Sequence, residues 1–555
     1  MNRRLLTAAT VACLLGVGCM GSTFEPSACS DDSQCGAGML CWPEGCVDAN
    51  RNLVIEVTAN TSSGHHAQDF PVDTLSAAQN IEMFPPTSLV GDIQQRNMSV
   101  QNIDATKPYT YPVTVRAVGQ SALIPGVLRR YEATFSSLER GAYSMFIGAG
   151  TYDVSAAAAD TSIPVDARPA VGVSPGANSS VSFIFQGPDT AVPLAGLLVR
   201  SRAVPPIRET LVSAKMELQA FDPTTRKALS QRVPAGKDDG AFTLWVDPAV
   251  NSLDTFLVTA TPSDPSSVVP TKTFVLTRPL PTQLVLEMGP YGQSLPGITG
   301  TVRGADGQPV AGATVLVEGT VGGGGTYRTH TVTTDEQGLF RLEAFLSPGD
   351  TTFVLTAIPP AGSPSGIFRG PVRVLTANVE GYLAPNSFTC PARIQLTGQL
   401  LLPDGLSTPA ARVKVLAEPT ASANGGMLPP LTYSTVTGDD GKFALYLDPA
   451  DFRLDFLPDG DVPRRSRFIS VRFDLDADGG VGAMALDPFT LANGRKVTGV
   501  VTSPQEKLIS TSTSVPFAVV RYFHVTKVGG TPSSILLAES VSDEKGNYSI
   551  VLPDR

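Results

Sequence analysis

One short pattern constrains this chain more than any other: a glycine, one variable residue, an aromatic residue, then apolar residues two and four places further on. Gly338 leads to Phe340, Leu342 and Ala344; Gly441 to Phe443, Leu445 and Leu447; Gly240 to Phe242, Leu244 and Val246. Gly546 introduces Tyr548, Ile550 and Leu552, and Gly141 introduces Tyr143, Met145 and Ile147. A period of two puts every large residue on one face of a strand, and each such burial stabilises by about 1.5 to 3 kcal/mol. The pattern therefore predicts half-buried strands, repeated at intervals of about a hundred residues, the size of a small domain.

The residues before each strand read as a turn. Asp335 in "TTDEQGLFRL" and Asp543 in "SDEKGNYSIVL" sit where a carboxylate can accept from local amides, and the closing glycine tolerates positive φ. A second marker keeps the same period: Gly91 in "SLVGDI", Gly196 in "PLAGLLV", Gly300 in "ITGTVRG", Gly398 in "LTGQLLL" and Gly499 in "VTGVVTS". Between the markers lie β-rich runs such as "ATVLVEG" and "ARVKVLA", and no segment sustains a helical period.

Composition agrees. A chain of 555 residues exceeds one core, and 42% hydrophobic content with 17% charged residues supports several folded domains. With 52 Gly and 46 Pro, short strands joined by many turns are the expected economy, so the fold class is all-β. A net charge of −10 offers no electrostatic footprint for nucleic acid.

The first eighteen residues, "MNRRLLTAATVACLLGVG", pair Arg3 and Arg4 with an apolar run of the length of a secretory leader, too short to span a bilayer. The junction "LLGVGCMG" resembles the lipobox of bacterial lipoproteins, although Gly16 stands where that family prefers leucine. The resemblance implies cleavage before Cys19, acylation of its sulfur and anchorage in a membrane; Met20 after the anchor implies the outer membrane. Cys13 leaves with the leader. Cys29, Cys35, Cys41 and Cys46 follow in "CSDDSQCGAGMLCWPEGC", whose spacing lacks the C-x2-C of zinc sites. Two disulfides are expected there, with three connectivities open, in a tether resembling short cysteine-rich modules that follow lipoboxes. Cys390 has no sequence partner and reads as a buried apolar residue.

"GTVRGADGQPVAGATVLVEG" followed by "TTDEQGLFRLEAFLSPGDTTFVLTA" resembles the carboxypeptidase regulatory-like domain, a transthyretin-like β-sandwich that accompanies catalysis without performing it. The expected organisation is a signal peptide, 1–18; a lipidated Cys-rich tether, 19–51; and tandem Ig-like or transthyretin-like sandwiches. These cover 52–190 (divergent, Ig-like), 191–293, 294–391 (the regulatory-like unit), 392–493 and 494–555. The last unit ends at "VLPDR" without its closing strand, so either the sequence is incomplete or that sandwich has an open edge able to accept a strand from a partner.

Chemistry-bearing motifs are few. The histidines are His65, His66, His330 and His524, and no H-E-x-x-H, G-x-S-x-G or G-x-x-x-x-G-K-[ST] occurs. "GTVGGGGTYR" reads as a hairpin tip. In "FDLDADGGVGAM", Asp474, Asp476 and Asp478 match the early positions of a calcium loop, but Ala485 stands where a bidentate glutamate belongs; calcium is the only cofactor these residues suggest, against a plain acidic turn. Trp245 alternates outward from Phe242 and Leu244 and is the candidate binding aromatic.

These readings predict a non-enzymatic, lipid-anchored envelope or surface protein. It would be structural or adhesive, a row of sandwiches projecting from the membrane with a polysaccharide or protein partner at its loops. The alternatives are a carbohydrate- or peptide-binding module, and an accessory part of an enzyme whose catalytic region lies beyond residue 555.

Overall fold

The computed structural model describes residues 39–42, 45–48, 52–59, 66–72, 75–96, 106–187, 190–202, 207–210, 215–236, 239–247, 252–264, 267, 269–291, 297–321, 325–343, 352–372, 382–419, 431–458, 462–471, 483–504, 512–528 and 531–553. Its strands build five sandwiches on one seven-strand frame, which sandwich one illustrates. The first strand, Ser88–Arg96, lies between the fourth, Ala142–Phe146, antiparallel to it, and the seventh, Phe183–Phe185, parallel to it. The facing sheet runs sixth (Asp166–Val173), fifth (Gly150–Ala158), second (Val113–Ser121), third (Leu128–Phe135). Alternation does the packing: Val113, Val115 and Ala117 of the second strand and Tyr152, Val154 and Ala156 of the fifth are buried, facing Tyr143, Phe183 and Phe185 across one core.

The two sequence markers meet in this frame. In all five sandwiches the marker glycine of the first strand is the register partner of the aromatic residue of the fourth: Gly91 with Tyr143, Gly196 with Phe242, Gly300 with Phe340, Gly398 with Phe443, Gly499 with Tyr548. The ring lies across the strand where the glycine has no side chain. A Cβ on Gly196 would stand 2.5 Å from the Phe242 ring, and one on Gly398 would stand 2.7 Å from the Phe443 ring. In sandwiches one and five a backbone carbonyl comes closest, Val181 at 1.8 Å from a Cβ on Gly91 and Gln79 at 1.9 Å from one on Gly499. There the aromatic is tyrosine, and its hydroxyl donates to that carbonyl: Tyr143 to Val181 at 2.7 Å, Tyr548 to Gln79 at 2.6 Å.

Sandwiches two to four repeat the order with first strands Val192–Arg202, Gly297–Arg303 and Ile394–Leu401. Sandwiches two and three share a sheet, because Thr271–Thr277 of two pairs with Gly325–Arg328 of three.

The last sandwich departs from sequence order. Its first four strands are Gly494–Pro504, Val519–Val528, Thr531–Val541 and Asn547–Pro553; its fifth, sixth and seventh are Leu53–Thr58, Gln68–Val72 and Ile81–Glu82. Leu53–Thr58 pairs antiparallel with Val519–His524, and Ile81 and Glu82 pair parallel with Val501 and Thr502. The described residues of 53–83, assigned from sequence to the first sandwich, thus occupy the last one. The edge for which the sequence offered either missing residues or an open strand is covered by these earlier strands of the same chain. The equivalence reaches individual residues: Gln79 N donates to Thr498 O at 2.7 Å as Val181 N donates to Val90 O at 2.8 Å, and Ile81 faces Val501 as Phe183 faces Ile93.

One core results. Leu53, Ile55, Val57, Val72, Ile81 and Met83 pack with Val497, Val501, Val520, Tyr522, Ile550 and Leu552. The strand "LVIEVT" is buried on both faces, because Val54 joins Ile124 of sandwich one and Phe523 in a second cluster. A continuous apolar run is what such two-sided burial requires. The sandwiches are consequently not an open row, since the first and the last are in contact.

Gly499→Ala forces a methyl onto the Gln79 carbonyl and should cost more than about 3 kcal/mol, while Gly307→Ala, with nothing within 4 Å and only its φ of 76° to strain, should cost about 1 kcal/mol. Hydrogen exchange at Val519–Val528 checks this: faster in the first variant and unchanged in the second.

Candidate functional site

The turn residues singled out from sequence act within the frame. Gly141, Gly240, Gly338, Gly441 and Gly546 have φ between 65° and 79°. A Cβ on any of them would approach the carbonyl oxygen two residues past the marker glycine, of Ile93, Leu198, Val302, Leu400 or Val501, to 2.4–2.6 Å. Asp335 Oδ1 accepts from the amides of Gln337 (3.0 Å) and Leu339 (2.7 Å), and Asp543 Oδ1 from those of Lys545 and Asn547 (both 2.8 Å). Hydrogen bonds from the Asn547 side chain and amide hold the Asp543 carboxyl below the usual aspartate range.

Trp245 lies in Ala241–Val246 and is half-buried, its neighbours Leu244 and Val246 facing the core. It lines a shallow cleft of about 600 Å³ with Pro234, Phe242 and Thr243, to which sandwich one adds Thr161. A larger cleft of about 1030 Å³ separates the outer sheet face of sandwich one, with Thr114, Arg116 and Ser155, from Arg226, Lys227 and Gln231 of sandwich two. Gln231 Nε2 closes one end, donating to the carbonyls of Ile163 (2.7 Å) and Asp160 (2.9 Å).

Sequence reasoning did not single out the buried ionic groups, which sit at junctions between sandwiches. Arg393, fully buried, donates to Asp448 (3.1 Å) within sandwich four and to the carbonyls of Pro360 (2.6 Å), Ser363 (3.0 Å) and Ala361 (3.3 Å) of sandwich three. Its guanidinium lies over Tyr433, whose hydroxyl donates to Asp448, while the Ile367 amide donates to the same carboxylate at 2.9 Å. Arg129 of sandwich one meets Asp69 (2.5 Å) and Glu56 (3.1 Å), both on strands of sandwich five, and Glu56 also meets Arg521 (3.3 Å). The available signal was weak: an arginine in an otherwise apolar strand setting, such as "PARIQLTG", reads equally well as a surface residue.

Cys19, Cys29, Cys35 and the acidic residues Asp474, Asp476 and Asp478 lie outside the described residues, as does His65. Cys41 and Cys46 are register partners in a hairpin of Met39–Trp42 with Gly45–Asp48. Cys390 is fully buried, and burial pushes its thiol up to about 11. His66 is half-buried edge-on against Tyr131, at 4.9 Å between ring centroids, and His524 is buried in Val519–Val528. Among the described residues no group of three or more His, Cys, Asp or Glu could hold a metal ion, and no helix is long and apolar enough to cross a membrane.

Residues 297–359 match the family model of the carboxypeptidase regulatory-like domain. That span takes in six strands of sandwich three, from Gly297–Arg303 to Thr352–Ile358, and stops before Phe368–Val372 and Tyr382–Thr389. No curated protein matches the sequence. Similar solved structures include a shaft pilin of Lactobacillus rhamnosus GG, 9% identical over 38% of this chain and 99% of the pilin, with a TM-score of 0.20. A streptococcal ancillary pilin is 12% identical over 55% of this chain and 99% of its own, with a TM-score of 0.18. The Bacillus anthracis TIE protein is 9% identical over 73% and 74%, with a TM-score of 0.16.

Arg393→Met leaves the buried Asp448 carboxylate without its paired charge and the carbonyls of Pro360, Ala361 and Ser363 without this donor, and should cost about 3 to 5 kcal/mol. The loss should appear as faster amide exchange at Ile367 and in Ile394–Leu401, with the sheet of sandwich one unaffected.

Proposed function

We propose that the chain is a structural or adhesive component of a bacterial envelope or cell surface, held to the outer membrane by lipid on Cys19. The observation that carries this reading is where the most repeated residues are used. Glycine and aromatic, five times over, with a turn aspartate in four of the five, support packing, and the charged residues most deeply buried are spent on joints. A continuous sheet between sandwiches two and three, the Arg393 clamp between three and four, and the shared strands between five and one resist relative motion. Such rigid articulation suits a part that bears or displays. Anchorage rests on the leader and on "LLGVGCMG".

Mass analysis of the mature N-terminal peptide from fractionated membranes should find Cys19 carrying diacylglycerol, and Cys19→Ser should move the protein to the soluble fraction. An unmodified terminus at another residue sinks the anchor.

The Trp245 cleft favours a second reading, binding of a carbohydrate or peptide. An exposed edge of indole beside Pro234 and Thr161 offers a stacking surface with polar neighbours. In a glycan and peptide array, any ligand held there should lose most of its signal with Trp245→Ala; signals untouched by that change count against this reading.

A further inference from the structure

The seam that closes the last sandwich has a property beyond closure. Its donor, the described residues of 53–83, is fastened to sandwich one by contacts independent of the rest of sandwich five: Arg129 to Asp69 at 2.5 Å and to Glu56 at 3.1 Å, and Ser121 Oγ to Asp69 at 2.5 Å. The connector that follows folds back on the donor, with the Phe84 amide donating to Gln68 Oε1 at 2.8 Å and the Phe84 ring stacked on Phe70 at 5.3 Å. Sandwich one can therefore present these strands as an assembled head, with its charges still paired, after they leave sandwich five.

The acceptor is equally specific. Without the donor, Gly494–Pro504 and Val519–Val528 each lose a strand partner, and Val501, Val520, Tyr522, Tyr548 and Ile550 lose their cover. An occupant must bring apolar residues in the register of Ile55, Val57, Ile81 and Met83. It must also bring a carboxylate opposite Arg521, as Glu56 does, and a carbonyl for the Tyr548 hydroxyl, as Gln79 does. Every copy of this chain carries that segment.

Donor and acceptor are joined covalently only through the intervening sandwiches; the Arg495 contact to the Leu75 carbonyl spans 420 residues of sequence. The contacts are the same whether the segment comes from the same copy or another, so the choice depends on concentration and connection. We propose that the seam also joins two copies of the chain, the Leu53–Met83 segment of one entering the last sandwich of the other. Each copy has one donor and one acceptor, so the exchange is head to tail and either closes as a pair or continues.

Thr58 and Val519 are antiparallel register partners across the seam. Full-length chains bearing Thr58→Cys or Val519→Cys, differently tagged, are mixed, partly opened in urea, allowed to reclose and oxidised, with the wild-type mixture as the thiol background. The expected result is a covalent heterodimer of twice the chain mass, containing the 58–519 linked peptide and increasing in yield with protein concentration. Adding Ile81→Asp and Met83→Asp to the Thr58→Cys chain should abolish it. A chain carrying both cysteines reports the closed form. If that chain locks internally while the mixed chains give no linked peptide at any concentration, exchange is overturned; if it does not lock, the seam itself is overturned and the proposal with it.

Discussion

The contact on which the rest of this structure depends is an aromatic ring laid over a glycine in the neighbouring strand. At Gly91, Gly196, Gly398 and Gly499 it lets the first strand approach both the ring and the parallel seventh strand, which a side chain at that position would hold apart. The turn glycine that leads into the aromatic strand packs on the carbonyl two residues past the marker, so the two glycines and the ring form one unit. This is why two sequence signals in separate segments keep a common period. Neither can change alone: a larger residue in place of the first glycine collides with the ring, and a smaller residue in place of the ring leaves the glycine strand without cover.

Pairing the first strand with the seventh is a long-range event in every sandwich, and in the last one it reaches across the whole chain. Hydrogen-bonded strands are indifferent to covalent order, so a frame can be filled from either end of the polypeptide once the pieces match in alternation and register. The last sandwich can form only after residues 494–553 exist, although its fifth to seventh strands come from residues 53–83. Loop-closure entropy makes this the slowest contact to establish. Tyr143 and Tyr548 hold equivalent carbonyls, and the hydroxyl absent from the phenylalanines of sandwiches two to four marks these two sandwiches as a matched pair.

The joints use different chemistry from the cores. Apolar alternation is repeated in all five sandwiches, whereas each junction is particular: a shared sheet, an arginine clamped by carbonyls, a pair of carboxylates around another arginine. Buried ion pairs add little net stability over apolar substitutes, but they penalise any arrangement that leaves a charge unpartnered. At these positions they select one mutual placement of neighbouring sandwiches.

Period-two alternation and glycine-bounded turns made the β-class, the number of repeats and the turn aspartates at 335 and 543 legible from residues alone, because these are set by local geometry and short-range hydrogen bonds. The stretch "LVIEVT" was legible as a strand too, yet its place was not. Nothing within those residues says which edge they will cover, and reading along the chain assigns them to the nearest unit. The same holds for Arg129 and Arg393, whose partners lie 60 and 55 residues away. Sequence by itself determined what each strand is and which side it buries; tertiary structure alone decided that Leu53–Thr58, Gln68–Val72 and Ile81–Glu82 complete the last sandwich, because strand partnership is a competition among all edges of the folded chain, settled by complementary shape and charge at a distance.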